Sequence, residues 1–349
     1  MEFAERYRIV ETYRAGGEGE VHLVEDLREA ARRKVLKVYP PGGGATEFEA
    51  LRGLDHPGLA SILECGTDRG RPYLTREFAE GGDLNSVVPL GPREATAVIV
   101  EVARALGYLH SRGVVHLDLK PGNVLRVRSD APTPVKLADF GLASRAGEAA
   151  SGGTLFFAAP EVLRREEIDG RADLFSLGVL LAHLLHGAFR VDPADFYRDF
   201  PQKAFLEAAR IDAGAWPAHL RDLVARLTEA DRTLRPARAP EVLRFLNRHR
   251  SRPIPVETSE TVRSALRVDP LAPARPKVDA WTAAALRAAR GEAGPRLFLA
   301  LGPDGCGARE AVREAAARLS LSDLGVEVVE GGRCGTPVAL GEFFAPSAG

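Results

Sequence analysis

Between Val114 and Leu125 the chain reads VVHLDLKPGNVL, which sets a carboxylate, an ammonium and a carboxamide within six residues: Asp118, Lys120 and Asn123. These types at this spacing suit phosphoryl transfer. Asp118 would accept or orient the proton of an attacking hydroxyl, Lys120 would stabilise the group in flight, and Asn123 would ligate one Mg²⁺. Asp139, in KLADFGLA, offers the other metal contact, since Mg²⁺ takes few protein oxygens and completes its shell from phosphate and water.

A nucleotide must also be cradled and its charge met. The turn RAGGEGEV, Arg14 to Val21, brings Gly16, Gly17 and Gly19 whose amides can approach phosphates, and Val21, whose side chain can cover adenine. Alone, such a turn is equally a structural hairpin. KVLK then sets Lys37 on a following strand, within reach of the α and β phosphates. Glu47, on the short helix expected over TEFEALRGL, can pair with Lys37 and orient it, with Glu49 as the competing carboxylate.

Elements must hold these groups in place. From Tyr7 to about Tyr39 the sequence is short, alternating and glycine-punctuated, which predicts strands joined by tight turns. From Pro92 helical spacing takes over: PREATAVIVEVARALGYLHSRG starts with proline and stops at Gly113, and the nearly all-apolar ADLFSLGVLLAHLLHG predicts a buried central helix ending at Gly187. Near residue 250 the Pro-, Ser-, Thr- and Arg-rich SRPIPVETSETVRSALRVDPLAPARPKVD reads as a linker. Thr258, Ser259 and Thr261 within it are expected to be accessible to phosphorylation.

The chain has 349 residues, 45% hydrophobic and 27% charged, with a formal net charge of -1. The length allows one large domain and a smaller unit. The near-neutral balance removes any general attraction to nucleic acid or anionic lipid, so neither is expected as a partner. No apolar run is long enough for a bilayer span, and a cytoplasmic location is expected. Cys65, Cys306 and Cys334 stand far apart without metal-ligand spacing and read as reduced thiols.

Over roughly Tyr7 to Arg250 the chain resembles the eukaryotic-like Ser/Thr protein kinase family, in its bacterial form. Besides the motifs above, GTLFFAAPE places Gly153 and Thr154 in a substrate-facing loop and Pro160 and Glu161 at the close of the activation segment. Asp173 resembles the buried aspartate that anchors the catalytic loop, and Arg235 the partner of Glu161. The resemblance implies an α+β bilobal fold, with a β-rich N-lobe over about 1–78 and a helical C-lobe over about 82–250, followed by a linker over 251–280. It implies ATP and Mg²⁺ as cofactors and a protein Ser or Thr as acceptor. Lys120 favours Ser/Thr over Tyr.

By the same resemblance, Val21, Val35 and Leu125 sandwich adenine, Glu77 to Ala79 form the hinge that reads it, and Asp83 joins the nucleotide-binding set. Leu51, Ile62, His116 and Phe140 would stack as a spine. Arg14 replaces a loop glycine, Arg76 stands before the hinge where an apolar side chain is usual, and Leu117 replaces the arginine before Asp118. PPGGG makes the span from Lys37 to Glu47 short. These departures motivate the alternative of a pseudokinase or nucleotide-binding scaffold; retention of Lys37, Asp118, Asn123 and Asp139 argues against it.

After Trp281, LFLALGPDGCGAREAVREAAARL has the strand, glycine turn and helix of a P-loop, and resembles the start of a bacterial AAA-type regulatory ATPase. Gly302, Gly305 and Gly307 fit, but Ala308 and Arg309 occupy the lysine and hydroxyl positions. Residues 281–349 are therefore expected to form a partial, degenerate P-loop-like segment, with further ATPase or regulatory domains beyond it.

Overall fold

The computed structural model describes residues 2–3, 5–16, 19–44, 54–127, 135–145, 147, 156–200, 202–256, 258 and 261. The alternating N-terminal segments form strands β1 (Glu2–Phe3), β2 (Tyr7–Gly16), β3 (Gly19–Asp26) and β4 (Arg32–Val38), followed by β5 (Ile62–Asp68) and β6 (Arg71–Glu77). They make one antiparallel sheet in the order β1-β2-β3-β4-β6-β5. Because side chains alternate across a strand, the register decides which residues share a face. One face buries Tyr7, Val24, Leu36, Val38 and Tyr73, with Phe3 and Ile9 packed against them. The pairings Val21↔Lys37, Lys37↔Leu74, Leu23↔Val35 and Val35↔Arg76 put Val21, Val35, Lys37 and Arg76 together on the other.

Helices dominate the rest. Helix α1 (Pro92–Ser111) starts with proline at its first turn, where no amide bond is lost, and Glu94 Oε2 accepts from the Gly91 N–H. Its buried stripe, including Val98, Ile99, Val102, Leu106 and Leu109, packs on α3 (Arg171–His186) and α7 (Ala239–Asn247). Helix α3 is buried on nearly all sides, as its nearly all-apolar run requires, and also packs on α6 (Ala218–Leu227). A Cβ at Gly178 would lie 2.6 Å from Leu227 Cβ, so only glycine permits this approach. Short helices α2 (Pro160–Leu163), α4 (Pro193–Asp199) and α5 (Phe205–Ala208) complete this part.

Between sheet and helices run the short strands β7 (Val114–Val115), β8 (Val124–Arg126), β9 (Val135–Leu137) and β10 (Ser144–Arg145). β7 pairs with β10, and β8 with β9. The chain divides into a compact unit through Pro255 and a second from Val256 onward. Within the second, the Thr258 N–H donates to Thr261 Oγ1 at 2.9 Å and the Thr261 N–H to Thr258 Oγ1 at 3.1 Å. Thr261 is buried and its hydroxyl donates to the Thr258 carbonyl at 2.9 Å, so the accessibility expected of it from composition is corrected. Ser259 and the P-loop-like segment 281–349 lie outside the described residues. No helix among the described residues is long and apolar enough to cross a membrane.

Candidate active site

The loop after β7 is shaped by an aspartate. Asp173, fully buried at the start of α3, accepts from the backbone amides of His116 and Leu117, both at 2.8 Å, and its carboxylate meets His110 Nε2 at 2.8 Å. Leu117 sits at φ 66, a conformation unfavourable for a branched residue, and the bond from its amide helps hold it there. Burial works to raise the Asp173 carboxyl, but His110 and the bond to His116 override it and hold it below the ordinary range.

This turn delivers Asp118 to the mouth of the loop. Lys120 Nζ donates to Asp118 Oδ2 at 2.7 Å, and Asn123 Nδ2 donates to the same oxygen at 2.8 Å and to the Asp118 carbonyl at 2.7 Å. A carboxamide whose nitrogen is spent on two acceptors has its oxygen left to face a cation, so Asn123 fits a metal-ligand role. The Asn123 carbonyl accepts from the Ala138 N–H at 2.9 Å, which sets the residue before Asp139 beside the Asp118 loop.

Asp139 has φ 65 and forms an ion pair with Lys37 at 2.8 Å, joining the Val35–Lys37 face of the sheet to the segment after β9. Burial pushes its carboxyl upward, yet the Lys37 ammonium, supported by Arg76, wins and holds it below the usual range. Asp139 is thus an anion at neutral pH, as a Mg²⁺ ligand must be. Phe140 packs its ring 4.9 Å from that of His116. His116 is wholly buried, and burial lowers its pKa against the pull of Asp173, Asp118 and Asp139.

The remaining sequence-derived positions fall as follows. Gly19 closes the β2–β3 hairpin at φ 121, where a Cβ would lie 2.5 Å from the Val38 carbonyl oxygen; Gly16 is its cross-strand partner. Val35 and Leu125 are buried, and Leu125 clusters with Ala60, Ala79 and Ala138. Asp83 forms a β-bridge with Leu125 and caps a 3-10 turn by accepting from the Asn85 amide at 2.9 Å. The Glu77 carboxylate is occupied within the protein: it accepts from the Ser61 N–H and from Lys136 Nζ, both at 2.7 Å. Arg76 is half-buried. Gly17, Glu47, Glu49, Leu51, Gly153 and Thr154 lie outside the described residues.

Farther on, Arg235 grips Glu161 through two bonds of 2.6 and 2.9 Å, both side chains buried. The Phe156 N–H donates to Tyr197 Oη at 2.8 Å, tying the loop before α2 to α4. Sequence reasoning missed His110 and Lys136. The signal for Lys136 is the alternation Val135-Lys136-Leu137, buried, half-buried, buried, in a strand beside the hinge.

A model of the protein kinase domain matches residues 27–245. The chain belongs to the protein kinase domain family. Among its relatives is the serine/threonine-protein kinase PknJ of Mycobacterium tuberculosis, 37% identical over 199 residues that make up 52% of this chain and 34% of the relative. PknB of Mycolicibacterium smegmatis is 32% identical over 53% of this chain and 33% of its own. Pkn2 of Myxococcus xanthus is 31% identical over 68% and 31% respectively. The chain thus spans about a third of the length of these kinases. Its sheet-rich N-terminal part and helical remainder fit the bilobal kinase fold.

Proposed function

We propose that this kinase domain transfers the γ-phosphoryl group of ATP, with Mg²⁺, to a serine or threonine of a protein. The observation that carries the reading is the double tie of Asn123: its side chain to Asp118 and its carbonyl to the amide before Asp139. One residue thereby registers the hydroxyl-activating carboxylate against the metal-binding one. Bound Mg²⁺ would neutralise the phosphate charge, held by Asn123 and Asp139.

Asp118 takes the hydrogen bond of the acceptor hydroxyl and orients its oxygen. Lys120, already donating to Asp118, carries positive charge to the phosphoryl oxygens. Lys37 steadies Asp139 and meets the nucleotide phosphates from the sheet side, where Gly16 and Gly19 leave room for close approach; Gly17 is assigned to the same loop from the sequence. Val21, Val35 and Leu125 enclose the base. With its carboxylate engaged by Ser61 and Lys136, Glu77 serves the adenine through its backbone, together with Ala79. Incubation with magnesium and γ-labelled ATP and a Ser/Thr-containing protein should label the acceptor on hydroxyl side chains. Nucleotide binding with no transfer to any of a broad panel would instead make the domain a nucleotide-binding scaffold.

A further inference from the structure

The segment that leaves the last helix of the first unit is fastened back onto it. Asn247, the final residue of α7, donates from Nδ2 to the Ile254 carbonyl at 2.8 Å and accepts from the Ile254 N–H at 2.7 Å. One residue on, the Pro255 carbonyl accepts from Arg104 Nη2 at 2.6 Å. Pro253 and Pro255 flank Ile254, so the only amide between them is the one Asn247 holds. Two prolines also fix φ, which makes the segment a stiff ribbon.

Arg104 is a buried residue of α1, also bound to Glu101 at 2.6 Å. The next residue, Ala105, lies under the turn that enters β5: a Cβ at Gly58 would sit 3.3 Å from Ala105 Cβ. One turn further along α1, Tyr108 stacks on His56 at 5.0 Å and its Oη accepts from the Asp55 amide at 2.9 Å. That turn is zipped to β9 in both directions. The Leu137 N–H donates to the Gly58 carbonyl and the Ala60 N–H to the Leu137 carbonyl, each at 2.8 Å. Leu137 stands two residues before Asp139.

We infer that residues 251–255 act as an intramolecular strap: seated on Asn247 and Arg104, it fixes α1 beneath the 55–60 turn and through it sets β9 and Asp139. The path runs from Pro255 to Arg104, along one turn of α1 to Tyr108, on to Asp55 and His56, and through Gly58 to Leu137, and the side chains that transmit it (Arg104, Tyr108, His56) are all buried. Release of the strap would therefore loosen the metal-binding end of the site without touching it. Arg104 and Asn247 are positioning residues here. The catalytic consequence rests on the kinase reading above; the exchange measurement below does not.

Hydrogen exchange on the full chain tests this. In Asn247→Ala, peptides covering 251–256 should exchange faster, and the amides of Asp55, Gly58, Ala60 and Leu137 should follow by about threefold or more, while α3 keeps its protection. The same variant should raise the KM for ATP more than it lowers kcat. Faster exchange confined to 251–256, or no change at either place, overturns the strap. Protection lost in α3 as well would mean general destabilisation, and Arg104→Lys then decides: it keeps the charge but loses the planar fork that reaches Glu101 and Pro255 together. If Arg104→Lys leaves the 55–60 amides unchanged, the inference fails. If Asn247→Ala shows the exchange coupling while the wild-type protein transfers no phosphate, the kinase reading fails and the strap stands.

Discussion

In the proposed kinase site the two carboxylates have different work. Asp118 shares an oxygen with Lys120 and Asn123, whereas Asp139 is held by Lys37 across 2.8 Å. Asp118→Asn should therefore lower the transfer rate by about 10²–10⁴-fold with ATP binding nearly intact, because a general base acts on the hydroxyl and not on the nucleotide. Asp139→Asn should chiefly weaken binding of magnesium-ATP. Calorimetry alongside single-turnover kinetics separates the two effects, and retained transfer in either variant would refute the assignment.

His56 also has a legible consequence at this scale. Burial, aided by the charges of Arg104 and Lys136, pushes its pKa down to about 3. The unfolded chain would titrate this residue near the ordinary histidine value of about 6.5. Between those limits the unfolded state binds the extra proton, so stability falls as pH drops through the window. His116, also depressed by burial, adds in the same direction. His56→Asn keeps an acceptor for the Gly58 N–H, which now donates to His56 Nδ1 at 3.0 Å. Urea titrations from pH 6.5 to 5 should show the slope of stability against pH reduced by about one proton in this variant. An unchanged slope would mean that the imidazole is charged in the folded protein.

Among elements, the loop from β7 to β8 is governed by Leu117. It is buried, it is tied to Asp173 through its amide, and its side chain has no donor to offer a phosphate. Control by phosphorylation of the segment between Asp139 and Glu161 works through an arginine–phosphate pair, which this residue cannot make. Replacing Ser144 and Ser151 by Ala should accordingly leave the rate within a few fold. A drop on the order of 100-fold would show that a phosphate at one of these sites finds another cation.

At the scale of the molecule, the sheet is fastened by a charge cluster and the C-terminal segment departs from a working P-loop. Lys34 and Asp26 are both buried and 2.6 Å apart; Arg6 bridges Asp26 at 2.7 Å and Glu64 at 2.6 Å, and Tyr7 and Tyr73 donate to Glu64. The bond from Arg6 and the ammonium of Lys34 outweigh burial and keep the Asp26 carboxyl well below its usual range. Its contribution is present at neutral pH and lost as pH falls below the ordinary carboxylate range. Asp26→Asn should cost roughly 3–5 kcal/mol by urea denaturation, and the apolar pair Asp26→Leu with Lys34→Met should recover most of it. If Asp26→Asn is neutral, the cluster does not hold the sheet. Titration of the full chain with magnesium-ATP should find one site, since Ala308 brings no charge and Arg309 no metal ligand to the glycine turn. A second site abolished by Arg309→Ala would prove that turn competent.

The sequence by itself determined the class of fold and which residues are candidates for the site, because both depend on residue type at short spacing: Asp118, Lys120 and Asn123 in one loop, alternation up to Val38, a nearly all-apolar helix from Arg171. It also reached Asp173 and the Glu161–Arg235 pair, but only through resemblance to a family. What the tertiary structure alone decided are meetings between residues far apart in the chain. Lys34 is buried beside Asp26 because β3 and β4 pair, a meeting that nothing in the sequence around it announces. Nothing around Glu77 in the sequence announces that its carboxylate meets the Ser61 amide and Lys136. Residues 251–255 read as linker because proline-rich composition lacks periodicity, yet their carbonyls meet Asn247 and Arg104, the latter 151 positions away. Backbone acceptors of this kind carry no residue code, so no pattern in the sequence could announce them; the packing of α7 against α1 brings them together.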